Sequence, residues 1–374
     1  MNVMVTGANG FIGQNLCVAL SNLEHITLNR IDLETSLIDF ESAAKQADFI
    51  VHLAGVNRPL DKQEFKQGNT IYTQTLIETL IKYKNHCPIL FASSIQATLD
   101  NPYGISKKEA EDDLIQYSQE YNSKVIIYRF VNVFGKWCKP NYNSAVATFC
   151  FNIAHDLDIM IHDETSQVSL VYIDDVVKDI IKQINTTSSS PSVFAECPTF
   201  YTVTLRHIVN LLLSFKSSRQ TLILPDLADD FTRKLYSTYL SYLPEDQFSY
   251  PLNTLGDERG TFSEIIKMPN YGQVSVNVTK PGIIKGEHYH HSKVEKFLVV
   301  SGEGIVRFRK IGSKQILEYP LSESRMEVLD IPPGYTHHIE NTGDTNLVTI
   351  MWTNEIFDQK QPDTYKLEVK HEKT

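Results

Sequence analysis

The sequence predicts two domains, a doubly wound parallel α/β sheet followed by an all-β barrel, and three observations point to them. The 374 residues exceed the size at which one hydrophobic core keeps growing. From residue 1 to about 184, short apolar runs alternate with amphipathic stretches, the pattern of parallel strands joined by helices that cover both faces. Past an aromatic, proline-containing linker at 244–251, the segments turn short, alternating and punctuated by Gly and Pro, which is an antiparallel signature. The boundary is therefore set at 250, giving domains 1–250 and 251–374.

In the first domain the expected strands are 3–5, 26–28, 49–53, 89–92 and 125–128. A Ser/Thr loop is expected at 186–191, then amphipathic helices at 204–216 and 231–242 that would cap a substrate. In the second, 274–278, 296–300 and 304–308 read as strands of a small barrel or jelly roll. With 42% hydrophobic and 21% charged residues the chain is expected to fold throughout. A net charge of −10 without any Lys/Arg run argues against a nucleic-acid surface. No apolar run reaches the roughly 18 residues that span a bilayer, and no charged-then-apolar leader opens the chain, so the expectation is a cytoplasmic protein without membrane insertion. Cys17, Cys87, Cys138, Cys150 and Cys197 lack paired spacing and all precede the second domain, which suits reduced core thiols.

After the first strand comes Thr6-Gly7-Ala8-Asn9-Gly10-Phe11-Ile12-Gly13, opening an apolar helical pattern. Gly7 would allow the tight turn, Gly10 the approach of a pyrophosphate and Gly13 close helix–strand packing, with the helix N-terminus facing the phosphates. At the end of the second strand, where a carboxylate would grip the ribose 2′-hydroxyl of NADH, stand Asn29 and Arg30. A guanidinium pairs with a 2′-phosphate, so NADPH is the expected cofactor, although Asp32 lies nearby. His52-Leu53-Ala54-Gly55 ends another strand, where small residues let backbone pass close to the cofactor.

Tyr103 and Lys107 are four apart with Pro102 at the helix start, so they share a face. Lys107 would hold the nicotinamide ribose and, with the cofactor's own charge, lower the Tyr103 pKa, and Tyr103 would pass a proton to a carbonyl oxygen as hydride reaches carbon. Tyr289 and Lys293 repeat the spacing, but Tyr103 alone follows a strand ending in Ser93-Ser94. Ser94, with Ser93 as runner-up, is assigned to orient the carbonyl.

Gly282, His288, His290, Glu295 and Gly302, then Pro332, Gly334, His337 and Asn341, form two spaced motifs in the second domain. Alternate residues of a strand point the same way, so His288 and His290 would converge inside a barrel while Glu295 and His337 arrive from neighbouring strands. Three imidazoles and a carboxylate suit Zn, Fe, Mn or Ni; zinc is the first expectation. His291 and His338, each beside a ligand, are expected to point away.

With Tyr128-Arg129-Phe130-Val131-Asn132-Val133-Phe134-Gly135 and Val171-Tyr172-Ile173-Asp174-Asp175-Val176 in order, residues 1–240 resemble the extended short-chain dehydrogenases that act on nucleotide sugars. That resemblance implies a Rossmann-like fold, substrate near Asn132, and diphosphate contacts from basic residues such as Lys136, Lys139 or Arg206. The spaced His and Glu residues match both cupin motifs, except that Met326 replaces the Gly that usually opens the second, implying a cupin jelly-roll barrel. Asp257-Glu258-Arg259-Gly260-Thr261-Phe262-Ser263-Glu264 and Lys285-Gly286-Glu287-His288-Tyr289 resemble deoxysugar 3,5-epimerases, themselves cupins, in which the residue matching His288 is the proton-abstracting base. His288 is thus read both as ligand and as base.

Domain order and motifs together resemble the CapF family of bifunctional capsular-polysaccharide enzymes over essentially the whole chain. The resemblance implies C3 epimerisation of a UDP-2-acetamido-2,6-dideoxy-4-keto-hexose and NADPH-dependent C4 reduction to UDP-2-acetamido-2,6-dideoxy-L-talose, toward N-acetyl-L-fucosamine, by a homodimer. Two rival readings make the second domain a passive metal-binding module for sugar binding or dimerisation, or an iron dioxygenase.

Overall fold

The computed structural model describes residues 1–59, 61–161, 163–186 and 193–370; the expected 186–191 loop lies, past Thr186, outside the described residues. Contacts divide the chain into two compact units, Met1–Leu213 with Ala228–Pro244, and Ser214–Leu227 with Glu245–Thr374.

In the first unit, β1 (Asn2–Thr6), β2 (Thr27–Ile31), β3 (Phe49–His52), β4 (Ile89–Ser94) and β5 (Val125–Phe130) precede β6 (Asn132–Phe134), β7 (Gln167–Tyr172), β8 (Val193–Ala195) and β9 (Phe200–Thr204). The main sheet runs β2-β1-β3-β4-β5-β8, parallel at every pairing, and β6-β7-β9 form a small second sheet. Alternate residues face opposite sides. Val3, Val5 and Val51 pack with Leu16, Cys17 and Leu20 of the helix Phe11–Ser21 and Val176 and Ile180 of Ile173–Ile184. Met4, Ile50 and Phe91 pack with Phe40, Leu76, Leu80 and Leu114 of the helices on the other face. Burial on both faces explains the unbroken apolar runs that predicted these strands. Chain order reverses between β1 and β3, and in such sheets the crevice beyond the strands' carboxyl ends at that point takes the ligand. The two late helices are Leu205–Thr221 and Asp230–Leu240. All five cysteines are free thiols. Among the described residues, no helix is long and apolar enough to cross a membrane.

The second unit is all-β. Its strands are β10 (Thr254–Asp257), β11 (Gly260–Met268), β12 (Gly272–Thr279), β13 (Ile284–Tyr289), β14 (Glu295–Ser301), β15 (Glu303–Lys310), β16 (Ile316–Ser322), β17 (Val328–Ile331), β18 (Tyr335–Asn341), β19 (Leu347–Thr353) and β20 (Tyr365–Lys366). They form two antiparallel sheets, β10-β11-β12-β19-β14-β17 and β16-β15-β18-β13-β20, a cupin-like β domain. Phe297, Val299, Val306, Phe308, Ile331 and Ile339 make its apolar core. On β12 the buried alternate positions are instead polar, Gln273, Ser275, Asn277 and Thr279. β13 carries a bulge: its register against β18 shifts between Gly286 and His288, with Gly286 at φ +115° and Glu287 at +60°.

Candidate active site and metal centre

β1 delivers Gly7 to the crevice where chain order reverses. A Cβ on Gly7, at φ +67°, would lie 2.8 Å from Ala54 N, and one on Gly13 would lie 2.1 Å from Gly7 O. Only glycine fits at these two positions, so the turn closes tightly against the end of β3 and the start of the helix. Gly10, the N-cap of the helix Phe11–Ser21, brings no capping side chain, which leaves first-turn N–H groups for an anion. A nicotinamide dinucleotide therefore fits this cradle. The turn, including Asn9, Phe11 and Ile12, borders a cavity of about 560 Å³ that is also lined by Leu53, Gly55, Ser94, Tyr103, Lys107 and Asn132. Ala54 lies beneath Gly7. Arg30 Nη2 donates to Asn9 Oδ1 (3.0 Å) and Asp32 Oδ2 accepts from Asn9 N (2.6 Å), so both charges of this region meet at the turn.

Asn101 caps the helix Pro102–Tyr121 by accepting from Gly104 N (2.9 Å), and that helix presents Tyr103 and Lys107 to the cavity. Lys107 is 5% exposed, donates to Ala92 O (3.0 Å) and lies over the Phe91 ring. Burial pulls its pKa down to about 8, against the upward pull of Glu111. Burial pushes the Tyr103 hydroxyl up, against the lowering effect of a hydrogen bond with Ser94. Both serines border the cavity, but the Ser93 hydroxyl is engaged, donating to buried Glu111 Oε1 (2.6 Å). Of the basic candidates, Lys139 lines the cavity; Lys136 pairs with Asp174 and Arg206 with Glu164.

Three supports escaped sequence reasoning. Buried Asn69, in a π-helical turn over Lys66–Ile71, holds the loop after β3 by accepting from Val56 N (2.9 Å) and donating to Val56 O (3.0 Å). Glu111, fully buried, takes Arg129 in a two-pronged pair beneath Lys107. His52 bridges Thr6 Oγ1 (2.7 Å) and Thr73 Oγ1 (3.0 Å), and burial, then the Lys107 charge, holds its pKa down to about 3, so it stays neutral. An Asn within a helical stretch and a Glu one turn beyond Lys107 carry no spacing signal of their own.

In the second unit, His288, His290, Glu295 and His337 converge, with their ligand atoms all within 4.8 Å of one another. His290 Nε2, Glu295 Oε2 and His337 Nε2 are buried with no hydrogen-bond partner, a state that a bound cation would relieve. Glu295 Oε2 lies 3.4 Å from His290 Nε2 and 3.3 Å from His337 Nε2. Its carboxyl is held below the usual range because these two imidazoles outweigh its burial. Burial, then His337, pushes His288 down to about 4, which keeps its nitrogen lone pair available. His290 Nδ1 donates to Asp363 O (2.6 Å), which turns Nε2 inward. The donor set fits a divalent metal. His290 lies one residue past the end of β13, the alternation continuing beyond the strand.

His338 points away from the cluster and binds Glu287 Oε1 (2.6 Å), while exposed His291 packs on Tyr365. Met326 is exposed, in the segment before β17. Tyr289 stacks on Tyr365, and Lys293 donates to Pro362 O (2.6 Å). A further support unseen in sequence is Asp363, whose carboxylate accepts from the backbone N–H groups of His291, Ser292 and Lys293.

Residues 3–194 match the NAD dependent epimerase/dehydratase family, and residues 255–365 match the polysaccharide biosynthesis C-terminal domain. A Pseudomonas aeruginosa protein named UDP-2-acetamido-2,6-beta-L-arabino-hexul-4-ose reductase is 43% identical over 369 residues, covering 99% of each chain. The crystal structure of the capsular polysaccharide assembling protein CapF from Staphylococcus aureus superposes with a TM-score of 0.91 at 51% identity, covering 99% of this chain and 100% of that one. UDP-glucuronic acid 4-epimerase from Bacillus cereus, at a TM-score of 0.55 and 18% identity over 65% of this chain and 98% of its own, shares the fold. Membership of the first family implies an enzyme with a nicotinamide cofactor. The chain belongs to the NAD-dependent epimerase/dehydratase family and, with its polysaccharide-biosynthesis C-terminal domain, to the CapF type within it.

Proposed function

We propose that this chain carries two successive reactions on a UDP-2-acetamido-2,6-dideoxy-4-keto-hexose, epimerisation at C3 in domain 251–374 and reduction at C4 in domain 1–250. The product is UDP-2-acetamido-2,6-dideoxy-L-talose, on the route to UDP-N-acetyl-L-fucosamine for capsule or O-antigen, made in the cytoplasm by a homodimer. The observation that carries this reading is one cavity uniting the glycine-rich turn with Ser94, Tyr103 and Lys107, in a chain matched end to end by a 4-keto-sugar reductase.

Bound NADPH would supply the hydride. Ser94 orients the C4 carbonyl, Tyr103 donates the proton to its oxygen, and Lys107 hydrogen-bonds the nicotinamide ribose. Gly7, Asn9, Gly10, Phe11, Ile12, Gly13, Leu53, Ala54 and Gly55 hold the dinucleotide, and Arg30 favours a 2′-phosphate. In the second domain His288, His290, Glu295 and His337 would hold a divalent metal, zinc in this reading, which would supply Lewis-acid polarisation of the ketone. Epimerisation comes first because the C4 ketone is what acidifies the C3 hydrogen, and reduction removes it.

The test is NADPH oxidation on adding the UDP-linked keto sugar. Wild type should form the C4 alcohol stoichiometrically, and Tyr103→Phe should be at least about 100-fold slower. Full activity in Tyr103→Phe would refute the assignment. A passive second domain is a second reading, favoured by the relative's name, which mentions reduction alone; it requires that no hydrogen exchange occur at C3.

A further inference from the structure

We infer that Trp137 is the platform on which the pyrimidine base of the nucleotide sugar stacks; this deepens the nucleotide-sugar reading and rests on it. Trp137 has φ +67°, a left-handed backbone that bulky L-residues avoid and that persists only where its surroundings impose it. Here they do. Tyr242 Oη donates to Cys138 O (2.5 Å) and Gly135 O (3.4 Å), and Asn15 Nδ2 donates to Lys136 O (3.3 Å), so the carbonyls on both sides of Trp137 are pinned from two other helices or their ends.

What this enforced turn accomplishes is the placement of an indole on the wall of the cavity that holds Tyr103 and Lys107. The indole is not serving the core, since Trp137 is 45% exposed. Lys136, itself held by Asp174, lies 5.5 Å from the ring centre, a cation–π contact that steadies the indole from one side. Farther along the same wall stand Tyr142 and Lys139, whose ammonium lies 5.4 Å from the Tyr142 ring and has no ion pair among the described residues. An aromatic face beside a cation is the chemistry that recognises a base and its diphosphate.

The chain has two tryptophans, so Trp352→Phe, in the other unit, leaves Trp137 as the sole indole reporter. In that background UDP should quench Trp137 emission in step with binding measured by calorimetry. Trp137→Gly should weaken UDP binding about tenfold or more while leaving NADPH binding unchanged. Because glycine adopts φ +67° freely, its melting temperature should equal or exceed that of wild type. UDP binding with silent Trp137 emission and undiminished affinity in Trp137→Gly would overturn the proposal and leave the nucleotide-sugar reading standing. Loss of affinity accompanied by a lowered melting temperature and weakened NADPH binding would assign Trp137 to bracing the fold and also overturn it. No UDP binding by wild type would sink both.

Discussion

Replacing Lys107 by methionine should stabilise the first domain while ending reduction. The ammonium is 5% exposed, and burial brings its pKa from an ordinary 10.5 to about 8. That descent corresponds to a penalty on the order of 3 kcal/mol against the charged lysine in the folded state. The folded pKa lies below the unfolded one, so below about pH 8 both states are charged and the whole penalty is present. Between about 8 and 10.5 the folded state releases its proton first and the penalty fades; above 10.5 it is gone. Methionine removes the charge but loses the bond to Ala92 O, worth about 1 kcal/mol. The net gain is about 2 kcal/mol at pH 7, or roughly 4–8 °C in the melting temperature of a domain of this size. Calorimetry of wild type and Lys107→Met at pH 7 and pH 10 reads this directly. A variant that melts below wild type at pH 7, or whose advantage is the same at both pH values, would show the buried-ammonium reasoning to be wrong.

Three further outcomes follow from the geometry. Gly13→Ala places a methyl 2.1 Å from Gly7 O and should weaken NADPH binding at least about tenfold and destabilise the domain by about 1–3 kcal/mol, read by fluorescence titration and melting; unchanged binding would mean the turn does not hold the cofactor. Glu295→Gln should lower metal affinity roughly 100-fold or more, measured as metal per chain after dialysis, and chelation of wild type should cost about 3 kcal/mol where metal had exceeded its Kd a hundredfold; full occupancy in the variant would exclude this carboxylate as a ligand. Asp363→Ala releases three N–H groups beside His290 and should reduce metal affinity about 10- to 100-fold with little change in reduction; wild-type affinity would show that this loop needs no such anchor.

Much of the fold was legible because its causes are local in sequence. The apolar runs that became β1, β3, β4 and β5 are continuous because both faces of that sheet are buried, and Gly7 and Gly13 mark places where a Cβ would strike backbone. The convergence of His288, His290, Glu295 and His337 was legible from spacing because strand alternation and hairpin pairing map short intervals onto one interior. What escaped was contributed from afar. Asp363 reaches the metal-site loop from some seventy residues away, and Asn69 braces the turn after β3 from a different helix. The engagement of the runner-up Ser93 by Glu111 is a contact that only the packed structure supplies. The bulge at Gly286 and Glu287 was equally invisible, since its pinning partners, His338 and Val369 N, come from β18 and the C-terminal segment.

The most direct test of two chemistries in one chain is NMR of the UDP-linked 4-keto-6-deoxy-N-acetylhexosamine in deuterated water, first without and then with NADPH. Deuterium at C3 before the cofactor is added, abolished in Glu295→Gln but retained in Tyr103→Phe, followed by a C4 alcohol once NADPH is present, is the predicted result. Reduction with no deuterium at C3 would contradict it and leave the second domain without a catalytic part.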